Sequence, residues 1–523
     1  MRRMVLLLFL LNALLVALMV PGSASVPWIA AEGLVLAGLV LWLPAHGLRR
    51  GLAWSAGVLY GLSALFVLAD AVIRASLGRP LNLYLDTSIA HASVDLLTAN
   101  LGLGMSLLLA ALVTALVLVL AAVVAGLLLR IGEYGHRTVR HRLTAGLAML
   151  ALLGLWLPAQ LVSATAVRIG AAQADQMMAA QQAGARFREQ VATVASEGGA
   201  VALGRLADTH VILAFVESYG VSAIADERYR PVVSAALDRL EQAIDRQGLH
   251  VVSGRLRSPV QGGQSWLAHG TLLSGLWLDS QQDYDALLAT GRTTLIDDFR
   301  ATGHQAVAVM PGITMAWPEG RALGYDRILD ARNLGYRGPP LNWVTMPDQF
   351  TWSRMHDTVL APASAPVFAE LALISSHAPW VPVLPVLEQW HAIGRGEVFE
   401  TWRDAGEAPA SLWQDPERVR AQYARAVAYS LDVAAGYIDH RLPLGALLVI
   451  LGDHQPAPLV TGEGASRDVP VHLISADRTL LEPFSGEGNA EAGLAGFRPG
   501  LFPGEAPGPD MSAFRPFLHR HLR

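Results

Sequence analysis

The first third of the chain consists largely of long runs without charged residues, and these limit its fold more than any other feature. Residues 4–21, 26–46 (interrupted only by Glu32), 51–69, 101–129 and 143–167 carry no other Asp or Glu and no Arg. A helix of about 20 apolar residues crosses ~30 Å of hydrocarbon. Five such runs clustered together predict five membrane-spanning helices rather than five buried core helices. The first run has Arg2 and Arg3 before it and Gly22, Ser23, Ala24 and Ser25 after it, so a cleaved signal segment stays open as an alternative. With 52% hydrophobic and only 16% charged residues, the whole chain is too apolar for a purely soluble protein.

Arginines in the short loops give the orientation. Arg2, Arg3, Arg49, Arg50, Arg130, Arg137, Arg140 and Arg142 fall on one side if the spans alternate, against Arg74 and Arg79 on the other. The positive-inside rule puts the first set in the cytoplasm, and an odd number of spans then leaves the sequence after residue 167 outside it. Removing the first span leaves this result unchanged. Glu32 and Asp70 fall near the outer ends of their spans and read as interfacial.

The remainder divides into a helical connector over residues 168–205, rich in Ala, Gln and Met, and an α/β domain over 206–523. Helical segments are expected at 231–247, 294–302 and 417–439, and the Gly- and Pro-rich stretch 486–509 reads as an exposed loop. A net charge of -5 and the lack of a basic, aromatic-interleaved stripe argue against a nucleic-acid partner. The chain has no cysteine and all 39 of its basic residues are arginine, so thiolate metal sites, thiol nucleophiles, P-loop lysines and Schiff bases are excluded.

Within this domain, three apolar runs end in groups able to bind a metal. Val211 to Val216 suits a strand buried on both faces of a parallel sheet, and Glu217 follows it directly. The run from Ala446 to Gly452 ends in Asp453 and His454, and the run from Leu371 leads to His377. Carboxyl ends of parallel strands are where crevices form, so Glu217, Asp453, His454 and His377 are expected to converge on one metal-centred site. Between the first two tips, Gly262, Gly263 and Gln264 lead into a helical segment opened by Ser265, a helix start suited to a phosphate. A capping role for Ser265 remains compatible with a nucleophilic one. His269 lies one turn after Ser265 and could face the same pocket, whereas His304, His391 and His472 read as structural.

Taken in order, Glu217 after a strand, Ser265 after a Gly-rich turn, His377 before Ala378, Pro379 and Trp380, and Asp453 with His454 make a pattern that resembles lipoteichoic acid synthases. It is similar also to their relatives, the phosphoethanolamine and phosphoglycerol transferases of the alkaline phosphatase and sulfatase superfamily. The likeness covers the five spans as well as the domain beyond them. It implies a sulfatase-like catalytic domain over 206–523 following a transmembrane domain over 1–167, with the catalytic domain on the periplasmic face of a bacterial inner membrane. It also implies a single divalent ion, manganese or zinc, held by Glu217, Ser265, Asp453 and His454. Ser265 would be the nucleophile, and His377 would contact the substrate phosphate or assist the leaving group. Trp317 matches a headgroup-pocket tryptophan of lipoteichoic acid synthases, but Glu319 stands where their pocket arginine falls. Arg321 is left as its substitute, and a glycerol-phosphate headgroup is in doubt. Sulfatases modify a Cys or Ser followed by Pro at the second position and Arg at the fourth. Here Leu267 and His269 occupy those places, so Ser265 is expected unmodified.

The expected reaction moves a phosphoglycerol or phosphoethanolamine group from a phospholipid to a glycan or lipid acceptor through an ester on Ser265. A hydrolase or phosphodiesterase with the same site and a non-catalytic membrane-anchored binding protein are the alternatives.

Overall fold

The computed structural model describes residues 2–18, 28–43, 46–134, 137–154, 161–195, 199–485, 494 and 496–523. It divides into two compact units, one comprising Met1–Arg74 and Arg79–Ala183, the other Ala75–Gly78 and Gly184–Arg523. The boundary between them falls inside a helix that runs from Thr165 to Ala195, within the stretch expected as a connector.

The first unit is helical. Its elements are α1 (Arg2–Ala17), α2 (Ala31–Trp42), α3 (His46–Leu77), α4 (Thr87–Gly132), α5 (Arg137–Gly154) and α6 (Thr165–Ala195). Leu7, Leu11, Val40, Leu41, Ala53 and Leu128 are among the side chains of its core. Close helix approach depends on small residues here: a Cβ on Gly57 of α3 would lie 2.3 Å from the carbonyl oxygen of Ala121 on α4. The α3–α4 loop is pinned by Asp70, which accepts from Arg74 and from the Leu81 amide, and by Asp86, which Arg79 grips with both guanidinium nitrogens.

The expectation of five spans is corrected. Among the described residues, two helices are long and apolar enough to cross a membrane, His46–Leu77 and Gly102–Gly132, the latter following a break in α4 at Gly102 (φ 76°). A charge-free run fixes composition but not helix length. α1 spans 16 residues, and α2 spans 12 because Leu43, which precedes Pro44, is extended (ψ 123°), as steric clash with a following proline ring dictates. The run 143–167 is divided, since Val162–Ser163 is a short strand paired in parallel with Ile29–Ala30.

An eight-stranded sheet forms the second unit. Its strands are β1 (Val211–Val216), β2 (His250–Arg257), β3 (Gln305–Met310), β4 (Arg327–Asp330), β5 (Val367–Leu373), β6 (Leu447–Gly452), β7 (Asp468–Ser475) and β8 (Arg498–Pro499). They lie in the order β8-β2-β7-β6-β1-β5-β3-β4, with β6, β1, β5, β3 and β4 parallel to one another and β7 antiparallel to both β6 and β2. All six residues of β1 are buried because both faces are covered. Ile212, Ala214 and Val216 enter a core shared with α7 (Arg230–Arg246) and the 25-residue helix Pro416–His440, while Val211, Leu213 and Phe215 enter one shared with α8 (Ser265–Ser274). The expected helices at 231–247, 294–302 and 417–439 are present to within a residue or two, the middle one as Leu295–Thr302. The C-terminal helix Phe514–His521 is held by Arg515, which donates to both oxygens of buried Asp298 and to the carbonyl of Ser274 at the end of α8. Of the stretch read as an exposed loop, residues 486–493 and 495 lie outside the described residues.

Candidate active site

Strand register brings the site together. Val216 of β1 pairs with Gly452 of β6 on one side and with Leu373 of β5 on the other, so the next residues, Glu217 and Asp453, emerge side by side at the carboxyl edge. Gly452 is required at this crossing: a Cβ there would lie 1.9 Å from the carbonyl oxygen of Tyr219. Asp453 Oδ1 accepts from the amides of Ser218 at 2.8 Å and His454 at 2.7 Å, which fixes the carboxylate. His454 Nδ1 donates to the carbonyl of Gln455 at 2.9 Å, and since a carbonyl only accepts, the free electron pair lies on Nε2 in the neutral ring. That Nε2 lies 3.3 Å from Glu217 Oε1 and 3.5 Å from Asp453 Oδ2. One ligand atom from each of Glu217, Asp453 and His454 falls within 4.8 Å of the others.

Ser265 joins them from a different element. Gly262, Gly263 and Gln264 have φ values of 73°, 151° and 65°, three consecutive left-handed residues that turn the chain sharply into α8. The cap position of α8 is Gln264, without a side-chain cap bond, and Ser265 is the first helical residue. Its hydroxyl does not serve as the cap. It donates to Glu217 Oε2 at 3.2 Å and lies 3.2 Å from His454 Nε2.

Electrostatics mark this cluster as short of positive charge. Burial pushes the Asp453 carboxyl up to about 6, with the Glu217 charge as second cause. Burial also opposes ionisation of Glu217, but the hydrogen bond and charge of His454, with the charge of His377, outweigh it and hold this carboxyl below the usual range. Burial disfavours the imidazolium of His454, yet the Asp453 charge and the bond to Glu217 push it up to about 9. A proton on His454 thus balances one of two carboxylates. Two carboxylates, an imidazole nitrogen and a hydroxyl form a donor set that fits a divalent zinc or manganese ion, which would replace that proton and neutralise both acids.

His377 lies four residues beyond the end of β5, exposed, with Nδ1 bonded to the carbonyl of Ala378, while Ser376 beside it donates to the carbonyl of Glu217 at 2.6 Å. Beyond Ser265 opens a cavity of about 450 Å³ that His269 and Trp317 also line. Arg321 is exposed on the short helix Pro318–Ala322 and is absent from the cavity wall. The sequence reading missed Glu370. It is fully buried inside β5, accepting from Tyr325 on one oxygen and bonded to His269 Nδ1 at 2.6 Å on the other. A lone carboxylate in the apolar run Val367–Leu373 was the available signal. The His269 ring stacks on Phe215 with centroids 3.7 Å apart. His472 is buried between Tyr219 Oη and Ser253 Oγ, His304 bonds the carbonyl of Thr209, and His391 is exposed on a single 3-10 turn.

No family model and no curated protein matches the chain. Similar solved structures include lipoteichoic acid synthase LtaP from Listeria monocytogenes, at 12% identity over 51% of this chain and 65% of that one, TM-score 0.37. The integral membrane lipooligosaccharide phosphoethanolamine transferase A (EptA) from Neisseria meningitidis aligns at 14% identity over 94% of both chains, TM-score 0.44. Streptococcus pyogenes phosphoglycerol transferase GacH aligns at 13% identity over 56% of this chain and 75% of that one, TM-score 0.34. These neighbours are the kinds of protein that the sequence motifs resemble. None of the TM-scores reaches 0.5, and the chemistry is argued below from the site's own residues.

Proposed function

We propose that the chain is a membrane-bound, metal-dependent transferase that moves the phosphorylated headgroup of a phospholipid to a hydroxyl acceptor on a glycan or lipid. The observation that carries this reading is the position of the Ser265 hydroxyl, 3.2 Å from both Glu217 Oε2 and His454 Nε2 and at the mouth of a cavity. Glu217, Asp453, His454 and Ser265 would hold the divalent ion, manganese or zinc, whose chemistry here is to lower the pKa of the serine and polarise a phosphoryl oxygen.

Ser265 Oγ, oriented by its hydrogen bond to Glu217 Oε2, attacks phosphorus and its proton is released to solvent. The bond from phosphorus to the diacylglycerol oxygen breaks, and that oxygen takes up a proton. His377, exposed beside the strand tips, is suited to contact the phosphate and assist this departure. In the second half an acceptor hydroxyl attacks the serine ester, its proton is released, and Ser265 recovers its own. The reading also assigns residues 206–523 to a sulfatase-like catalytic domain outside the cytoplasm, which requires an odd number of crossings in residues 1–167, at least one more than the two long helices supply.

Metal analysis of the purified chain tests it. Wild type is expected to hold the ion and release headgroup from phospholipid, and Asp453→Ala to lose both together with part of the thermal stability that a bound ion confers. Full metal occupancy and turnover in Asp453→Ala would contradict the assignment.

A further inference from the structure

The cavity beside Ser265 has a chemical character of its own. Trp266, Tyr284, Trp317 and Tyr325 contribute four aromatic rings to its wall, Met310 and Met315 contribute thioethers, and Glu319 and Glu370 are its acidic groups. Among the described residues no arginine lines it, and the chain contains no lysine. The wall is net negative in either state of His269. If that imidazole is charged it neutralises Glu370, to which it is bonded, and the Glu319 carboxylate remains, with no side-chain hydrogen bond or ion pair among the described residues. If it is neutral, both carboxylates count.

Rings, soft sulfurs and an unpaired carboxylate together attract an organic cation. The kind of cation follows from the acceptors on offer. A primary ammonium has three N–H groups, each costly to remove from water without a partner. One Glu370 oxygen is taken by Tyr325, the other by His269, and Gln281 Oε1 by Trp266, which leaves Glu319 as the free acidic acceptor beside the neutral hydroxyls of Thr314 and Tyr284. A trimethylated nitrogen has no N–H to satisfy and presents methyl groups to the rings. A glycerol headgroup gains from neither the rings nor the charge.

We propose that this cavity is the headgroup subsite of the enzyme and takes a quaternary ammonium of the choline type, making a phosphocholine-bearing lipid the donor. The proposal rests on the reading of Ser265 as the nucleophile, which sets the phosphate at the cavity mouth. The oxygen of Ser265 then bonds to phosphorus, the diacylglycerol oxygen leaves with a proton, and choline stays on the phosphate.

The test is calorimetric titration of the full-length Ser265→Ala protein, in a maltoside detergent free of choline groups, with phosphocholine, phosphoethanolamine and glycerol phosphate. Phosphocholine is expected to bind about tenfold more tightly than either of the others. Adding Glu319→Gln should weaken phosphocholine by about tenfold and leave glycerol phosphate unchanged, with an unaltered melting temperature confirming the fold. Trp317→Leu should weaken phosphocholine in the same selective way. Glycerol phosphate binding as tightly as phosphocholine, or phosphocholine affinity indifferent to Glu319→Gln, would overturn the cation site. Equal affinity for phosphoethanolamine would overturn the preference for methylation. Because the readout is binding without a nucleophile, its failure is separable from that of the transfer reading, which falls if Ser265→Ala still turns over lipid.

Discussion

Ser265 Oγ donates to Glu217 Oε2 at 3.2 Å across 48 positions of sequence, one residue opening a helix and the other ending a strand. A helix-start serine normally spends its hydroxyl on a backbone amide of its own first turn. Here the left-handed residues Gly262, Gly263 and Gln264 place the serine one position too late to cap, and the hydroxyl is given to the acidic cluster instead. The strained turn therefore serves the cluster rather than the helix.

Ser265→Ala should accordingly lose turnover by several orders of magnitude, at a cost in stability below the ~1 kcal/mol of a lost cap. Ser265→Thr retains the oxygen and should keep measurable activity. Steady-state rates beside thermal melts check both. A stable Ser265→Ala protein working at near wild-type rate would require another nucleophile, such as water, Ser218 or Thr271.

A second expectation concerns acid. Burial lowers the pKa of His472 to about 3, against a value of 6.5 in the unfolded chain. The unfolded state therefore binds the proton first. The stabilisation is complete above about pH 6.5 and is lost progressively as the pH falls towards 3. The melting temperature of wild type should drop over this window more steeply than that of His472→Gln, which has no imidazole to protonate. Parallel acid slopes for the two proteins would refute the assignment.

Topology is open to a direct check. If residues 1–167 cross the membrane an odd number of times, beyond the two crossings that the long helices supply, with their arginine-rich loops in the cytoplasm, a reporter fused after Val167 should be active only if it works outside the cytoplasm. Cytoplasmic activity would place the site on the wrong leaflet for the proposed donor and acceptor.

Much of this site was legible in the sequence because the groups that could hold a metal sit at strand tips. Six apolar residues followed by Glu217, and another run followed by Asp453 and His454, announce both the strands and the edge where they end, since parallel register does the rest. The Gly-rich turn before Ser265 was legible for a similar reason, as glycine marks positive φ. Glu370 was hidden because its function depends on neighbours from distant elements, His269 on α8 and Tyr325 before β4, and no local pattern in Val367–Leu373 encodes them. Arg321 was matched by position in a short motif, and the side chain is exposed away from the cavity wall. The spans were overcounted for a physical reason too. Hydropathy reports which residues avoid water, whereas Leu43 before Pro44 and the pairing of Val162–Ser163 decide where helices stop.

The central claim, that Ser265 becomes esterified during turnover, is tested most directly by the mass of the peptide that carries it. Wild-type protein loaded with metal and incubated with phospholipid in the absence of acceptor should show that peptide heavier by one phosphate with its headgroup, and the increase should vanish on addition of acceptor and in Ser265→Ala. An unmodified Ser265 peptide in protein that is releasing headgroup at its normal rate would contradict the claim.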